Sequence, residues 1–261
     1  MWFPPHRMTR SAFPSRGSAT PVAQTDRMAD GAQARAAARI RGAAALGLVP
    51  PPSAEVVPAT ALADPGWTAE VLARRGRAAR STDSRVLATV WWYSVSTVLV
   101  TPPLAGLVAG VPLSARLADL TVSLLPGGQP IAAVASAGDG DLSADLRTSL
   151  TTVISAVAEA GRMRERPLWA IATDSLANQL LAIGRAVGDV PAVTSLAAPL
   201  ATAIGSPLLV PRYVDVGGAR FSRRASCCLV VELPGADLCA SCPRRPPADR
   251  LVRLERAARW F

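Results

Sequence analysis

Residues 86–115 read VLATVWWYSVSTVLVTPPLAGLVAGVPLSA and form the longest stretch of the chain without a charged side chain. By length alone, such a stretch could span a bilayer. Pro102 and Pro103 interrupt it, however, and apolar runs of intermediate length are more often core helices than membrane spans. The stretch therefore predicts a buried helix, a break at the two prolines and a second short helix. We expect a soluble, cytoplasmic protein with no stable membrane insertion.

Helical patterns and two turn signals flank this stretch. The helical patterns cover residues 65–80, 144–160, 168–187 and 192–204. Apolar runs at 117–125 and 129–136 enclose a Pro-Gly-Gly turn, which is typical of a β-hairpin. A second hairpin is indicated within residues 208–221, around a Gly-Gly pair. These elements predict an α+β fold, a mainly helical domain with a small antiparallel sheet and a C-terminal cysteine cluster loop.

Composition and the positions of proline and glycine residues suggest that the chain has three segments. Half of the 261 residues are hydrophobic, 18% are charged and 5% are aromatic, which excludes a wholly disordered chain and favours an alanine-rich helical core. We expect a disordered or partly helical N-terminal extension at 1–50, a mainly helical α+β core at 51–215, and a cofactor-binding C-terminal segment at 216–261.

The net charge of +9 lies at the two ends of the chain. Residues 1–50 carry 7 Arg against 2 acids and residues 216–261 carry 9 Arg against 4 acids, whereas the stretch between them is close to neutral. A nucleic-acid surface would need clustered basic residues interleaved with aromatic side chains. The sequence has no such arrangement, so we expect no nucleic-acid partner.

Histidine and cysteine usage narrows the possible chemistry. The single histidine, His6, lies in the leader, which excludes a Ser-His-Asp triad, a Cys-His nucleophile and a His-ligated metal in the folded region. All four cysteines fall in one short window, at Cys227, Cys228, Cys239 and Cys242, with the spacing C-C-x10-C-x2-C. The window is therefore the candidate site.

Three interpretations of the four cysteines compete. Disulfides need an oxidising compartment, and the leader lacks a secretory signal. Structural zinc usually uses two separated knuckles, and only Cys239 and Cys242 form one. The adjacent pair Cys227-Cys228 reaches one site only if the backbone bends sharply there, because neighbouring strand side chains point to opposite faces. From the residues alone, an iron–sulfur cluster and a zinc ion both remain open.

A resemblance favours the cluster. Arg-Arg-x-Ser-Cys-Cys, an apolar strand, Leu-Pro-Gly and Cys-x-x-Cys-Pro together resemble the C-terminal signature of the FhuF-type ferric siderophore reductases. This resemblance implies a 2Fe-2S cluster on Cys227, Cys228, Cys239 and Cys242. It also implies an oxidoreductase of iron homeostasis that reduces ferric siderophores in the cytoplasm and takes electrons from an external donor. The chain departs from the family pattern by continuing well past Pro243.

The implied chemistry is compatible with the residues present. One-electron reduction of a ferric chelate needs no nucleophile or general base, and ferrous iron is bound less tightly than ferric iron by hard oxygen donors. Arg223 and Arg224 could neutralise a negatively charged cluster without ligating it, lower the thiol pKa values and raise the reduction potential. The alternative for this pair is a solvated surface cluster. The alternative for the whole chain is a non-enzymatic protein with a structural zinc site on the same cysteines.

Two further features have expected structural roles. Trp91, Trp92 and Tyr93 are predicted to pack in the core rather than form a ligand platform. The C-terminal helix places Leu251, Leu254 and Ala258 on one face, and we expect it to dock over the cysteine loop.

Overall fold

A computed structural model describes residues 31–260 of the chain. The helices are α1 (Ala32–Ala38), α2 (Pro65–Ala79), α3 (Ser84–Ala109), α4 (Leu142–Ala160), α5 (Glu165–Val187), α6 (Val190–Ser195), α7 (Ala197–Ile204) and α8 (Pro247–Ala258). The strands are β1 (Glu55–Pro58), β2 (Leu120–Leu125), β3 (Gln129–Ala135), β4 (Tyr213–Val216) and β5 (Ala219–Ser222). The predicted fold class, mainly helical α+β with a small antiparallel sheet and cysteines grouped near the C-terminus, is confirmed.

The central helix α3 runs without interruption through Pro102 and Pro103, so the break predicted there is wrong. Both prolines are buried, and their fixed backbone angle suits a helix even though each removes one N–H donor. Packing against α5 and β3 compensates for the lost hydrogen bonds. Asp83 begins the helix by accepting a hydrogen bond from the N–H of Val86, and Gly110 ends it in the left-handed conformation.

Most of the apolar part of α3 is buried inside the fold. It is the one helix within residues 31–260 that is long and apolar enough to cross a bilayer. Of its most apolar 18-residue stretch, 67% is buried inside the fold. Trp91 and Trp92 are fully buried and donate their indole N–H groups to the carbonyls of Gly128 and Leu168. The core role predicted for these two tryptophans is therefore confirmed, whereas Tyr93, the third residue of that prediction, is only half-buried.

The main sheet has three antiparallel strands in the order β1-β2-β3. Strands β2 and β3 form the predicted hairpin, with a bulge at Ser123–Leu124. Strand β1 was not predicted, because Glu55–Pro58 is short, mostly exposed and ends in proline, as edge strands often do.

The described part of the predicted N-terminal extension packs against the core. Ala36 and Leu48 are fully buried. The Gln33 side chain donates to the carbonyls of Leu48 and Ala133 and accepts from the N–H of Ala135, so it covers the free edge of β3. The leader 1–30 lies outside the described residues. The three-segment division stays a prediction, although residues 31–50 share the core assigned to the second segment.

The C-terminal region begins with the second predicted hairpin, β4–β5, whose turn is Gly217-Gly218. The boundary predicted at 215 falls inside this hairpin. Helix α8 lies against β4 and buries Leu254 and Ala258, whereas Leu251 is about half exposed. Between β5 and α8 the chain has no regular strand, and this irregular connection carries all four cysteines.

Candidate metal centre

A buried carboxylate on α5 fixes the loop that leads into the first cysteine pair. Asp174, which is 2% exposed, accepts hydrogen bonds from the backbone N–H groups of Ala225 (2.6 Å) and Ser226 (3.1 Å). It also accepts from the Ser226 hydroxyl at 2.8 Å and lies 3.4 Å from Nε of Arg224. Because these partners are far from Asp174 in sequence, the helix bundle positions the start of the cysteine segment.

Sequence reasoning gave Asp174 no functional role. A signal was present, because Asp174, Asn178 and Arg185 lie on one face of a mainly apolar helix at spacings close to whole turns. Asn178 accepts from the Ser222 hydroxyl, and Arg185 donates to the carbonyl of Arg220. Polar side chains on one face of a buried helix need partners, and here the partners belong to the hairpin and the loop that follows it.

Arg224 is a buried charged group that faces two of the thiols. Its side chain is 4% exposed, and its guanidinium carbon lies 5.2 Å from the centre of the Tyr93 ring. Its Nη1 atom lies 3.4 Å from Sγ of Cys239 and 3.7 Å from Sγ of Cys228. Burial alone would lower the pKa of Arg224, but the negative forms of Cys228, Tyr93 and Asp174 raise the pKa above its usual value. Arg224 therefore remains a cation inside the fold.

One atom of this guanidinium has no protein partner. Within residues 31–260, Nη2 of Arg224 is buried without a hydrogen-bond acceptor. A buried charged donor normally has a partner, since leaving it unsatisfied costs about 1–3 kcal/mol. The unsatisfied donor lies on the residue that contacts two of the four thiols, which fits a site built for an additional anionic group.

Arg223 differs from its neighbour. Its side chain is exposed, while its backbone N–H donates to the carbonyl of Arg212 and continues the β-hairpin pairing by one bond. Of the two arginines proposed to surround a cluster, the structure brings only Arg224 into contact with sulfur.

The four cysteines line one cavity of about 200 Å³, together with Tyr93, Arg224, Val230, Val231, Asp237 and Leu238. All four are free thiols, and Sγ of Cys227 lies 3.9 Å from Sγ of Cys242. Cys228 and Cys242 are buried, Cys227 is half-buried and Cys239 is exposed. Leu229 takes the left-handed conformation directly after the adjacent pair, which supplies the backbone bend that this pair requires.

A second arginine holds the Cys239–Cys242 turn. Arg245 is 8% exposed and donates to the carbonyls of Leu238 and Cys239, and it also pairs with Asp249 on α8. The turn itself is closed by a hydrogen bond from the N–H of Cys242 to the carbonyl of Cys239. No sequence pattern indicated this role, because Arg245 is one of several arginines beyond the last cysteine.

Helix α8 lies beside this turn, but it packs against β4 and touches the turn through a polar side chain, so the predicted docking over the cysteine loop holds only in part. Arg250 donates to the carbonyls of Cys242 and Arg245, so the first turn of the helix contacts the cysteine segment directly. Burial raises the pKa of the Cys242 thiol, the N–H of Arg244 opposes this effect and the nearby Cys227 adds to it. For Cys242 the pKa therefore moves opposite to the lowering that neighbouring arginines were predicted to cause.

The donor set limits what the cavity can hold. Within the described residues, no three His, Cys, Asp or Glu side chains converge at the spacing of a single bound ion. The thiols instead lie around the wall of one shared cavity, with a buried cation against two of them. Four cysteines are the usual donors of a 2Fe-2S cluster, so the residues present fit that group.

A comparison with known families identifies the segment. Residues 224–244 match the family model of the FhuF 2Fe-2S C-terminal domain. The match begins at Arg224 and includes all four cysteines, which supports a 2Fe-2S cluster as the cofactor and agrees with an FhuF-type family. No curated protein matches the chain. The family match therefore covers residues 224–244, and the helical region before them is described from its structure alone.

Proposed function

We propose that this protein reduces ferric siderophores in the cytoplasm and releases ferrous iron for cellular iron homeostasis. The observation that carries the proposal is the placement of four free thiols around one cavity, inside a segment that matches a 2Fe-2S domain. When bound, the cluster supplies a one-electron reductant. Cys227, Cys228, Cys239 and Cys242 would hold it.

The protein's own residues prepare the site for electron transfer rather than for acid–base chemistry. Asp174 fixes the approach to Cys227 and Cys228, and Arg245 fixes the turn between Cys239 and Cys242. Arg224 places a permanent positive charge against Cys228 and Cys239, which offsets negative charge on the sulfurs. The described part of the site contains no histidine, and the proposed step needs none.

The proposed step moves a single electron. An external one-electron donor supplies it, and the ferric ion of the substrate becomes ferrous without any bond to the protein being made or broken. Hard oxygen ligands such as hydroxamates and catecholates hold ferrous iron less tightly, so the metal then dissociates from the chelate. The chain has no Rossmann or P-loop motif, so we assign no nucleotide cofactor and propose a separate electron-donor protein.

Metal analysis of the anaerobically purified protein tests the proposal. We expect about two iron and two sulfide per chain, with a brown colour that bleaches on reduction by dithionite. The reduced protein should then reduce a ferric trihydroxamate, measured by capture of ferrous iron with a colorimetric chelator. About one zinc per chain and no colour would contradict the proposal and support the structural-zinc alternative.

A further inference from the structure

An open groove borders the cysteine cavity. It has a volume of about 900 Å³ and shares one wall residue, Cys227, with the cavity that holds the four thiols. This volume falls within the range of about 300–1,000 Å³ that is typical of sites for drug-sized ligands. A molecule in the groove would therefore lie directly beside one of the four candidate cluster ligands.

Charged side chains from three places in the sequence line the groove. Arg85 comes from the start of α3, Glu159 from the end of α4, and Arg162, Arg164 and Glu165 from the connection into α5. Within residues 31–260, Arg162 and Arg164 form no ion pair. Guanidinium groups form strong paired hydrogen bonds with anionic oxygens, so two free ones are available to an anionic ligand.

Arg162 occupies a position that favours glycine. Its φ is +50°, its N–H donates to the carbonyl of Glu159, and the N–H of Met163 donates to the carbonyl of Ala158. This pattern is the Schellman motif, in which the left-handed residue is usually glycine. Arg162 thus places a guanidinium at the wall of the groove from a left-handed position, a conformation that Arg80 also adopts at the end of α2, away from the groove.

Leu229 also has a left-handed backbone conformation. Its φ is +58°, it follows the first cysteine pair, and it also lines the groove. Among the described residues, three residues other than glycine have a positive φ, and two of them, Arg162 and Leu229, line this groove. Strained backbone of this kind concentrates at functional sites.

We infer that this groove binds an anionic ferric chelate, one whose iron is held by catecholate or carboxylate oxygens; the inference rests on the proposed function. A cluster with four thiolates is itself negative, so an anionic chelate can approach Cys227 only along a surface that carries cations. Arg162 and Arg164 supply them, and with Arg85 the guanidinium groups of the groove outnumber its two carboxylates, Glu159 and Glu165, by one. A neutral ferric trihydroxamate gains little from these charges, so the groove favours the anionic class.

Redox-inert gallium(III) chelates test the inference without any turnover. The cluster-loaded full chain is titrated by calorimetry with gallium(III) tris-catecholate, a trianion, and with gallium(III) trihydroxamate, which is neutral. We expect the trianion to bind at least about tenfold more tightly, and its affinity to fall as salt is added. Equal affinity for the two chelates would overturn the inference.

Variants of the lining residues sharpen the test. Arg162→Gly places the favoured residue in the left-handed position, so we expect unchanged or higher thermal stability together with about tenfold weaker binding of the trianion. Arg164→Gln should also weaken binding. Arg166→Gln is the matched control, since Arg166 is exposed on the same turn of α5 but does not line the groove. Unchanged binding by Arg162→Gly and Arg164→Gln would contradict the inference.

The two proposals fail in different ways. If the loaded protein reduces both the catecholate and the trihydroxamate ferric chelates and binds the two gallium analogues equally, the groove assignment is wrong and the proposed function stands. If the loaded protein binds the gallium trianion through Arg162 and reduces neither ferric chelate, the groove assignment stands as an anion site and the proposed function is wrong.

Discussion

The two cysteine pairs that share the cavity are held in different ways. Cys227 and Cys228 follow a loop that is bonded to Asp174, a residue of the helix bundle roughly fifty positions earlier in the sequence. Cys239 and Cys242 lie in a turn closed by its own backbone and by Arg245, which is only a few residues away. The bundle therefore positions the first pair, whereas local interactions form the second.

This difference shows which contacts of the cysteines lie within the matched segment and which are made by the rest of the chain. The second pair and its supporting arginine lie within or directly beside the matched residues 224–244. The first pair depends on a carboxylate outside that match. A short signature can thus supply all of the candidate ligands while the surrounding fold determines where half of them lie.

The largest expected effect comes from removing any one thiol. Cys227→Ser, Cys228→Ser, Cys239→Ser and Cys242→Ser should each abolish or severely reduce cluster binding, because all four sulfurs are needed to complete the ligand set. Iron and sulfide analysis of each variant measures this loss, with Ser241→Ala as a control inside the same turn. If two of the four variants kept their full iron content, the four-thiolate site would be wrong.

Asp174 and Arg245 each support one cysteine pair, and replacing them should lower the stability of the protein by different amounts. Asp174→Ala leaves Arg224 as an unpaired buried charge and removes the acceptor of two backbone N–H groups, so we expect roughly 3–5 kcal/mol of lost stability. Arg245→Ala removes hydrogen bonds to two carbonyls and should cost about 1–3 kcal/mol. Urea unfolding followed by circular dichroism measures both losses.

The order of these two losses is the decisive result. Asp174→Asn, which keeps an acceptor of the same shape, should recover part of the stability lost in Asp174→Ala. A loss at Arg245 equal to or larger than the loss at Asp174 would contradict the unequal dependence of the two pairs on the helix bundle.

The smallest expected effect concerns the reduction potential. Arg224→Gln removes a buried positive charge that lies 3.4 Å and 3.7 Å from two sulfurs, so the potential of the cluster should fall by on the order of tens of millivolts. Arg223→Gln is the matched control, because its side chain is exposed and its charge is screened by water. An optical redox titration of the loaded variants measures both potentials, and equal shifts would remove the special role of Arg224.

Local sequence patterns predicted much of the fold. The Pro-Gly-Gly turn, the Gly-Gly turn and the apolar periodicity predicted both hairpins and most helices, because each depends on nearby residues. Pro102 and Pro103 misled the prediction of α3, since tertiary packing around a buried helix outweighs two missing N–H donors. Strand β1 was missed because its pairing with β2, rather than its own composition, makes it a strand.

The candidate ligands were likewise predictable, whereas the contacts that their supporting residues make were not. The four cysteines in one short segment were predicted as ligands from their residue type and from their resemblance to a known signature. Asp174 is one of two acidic residues in a long, mainly apolar helix, and only the tertiary fold shows that it bonds to the loop before Cys227. Arg224 and Arg223 are neighbours of the same type, and only burial tells them apart.

The uneven exposure of the four thiols has a consequence for the durability of the site. Cys239 is exposed and Cys227 is half-buried, whereas Cys228 and Cys242 are enclosed by the fold. An opening that lets an electron leave also admits dioxygen and peroxide, which oxidise exposed sulfur first. The partial exposure of Cys239 and Cys227 therefore leaves the site vulnerable to oxidative damage, whereas the fold protects the enclosed pair.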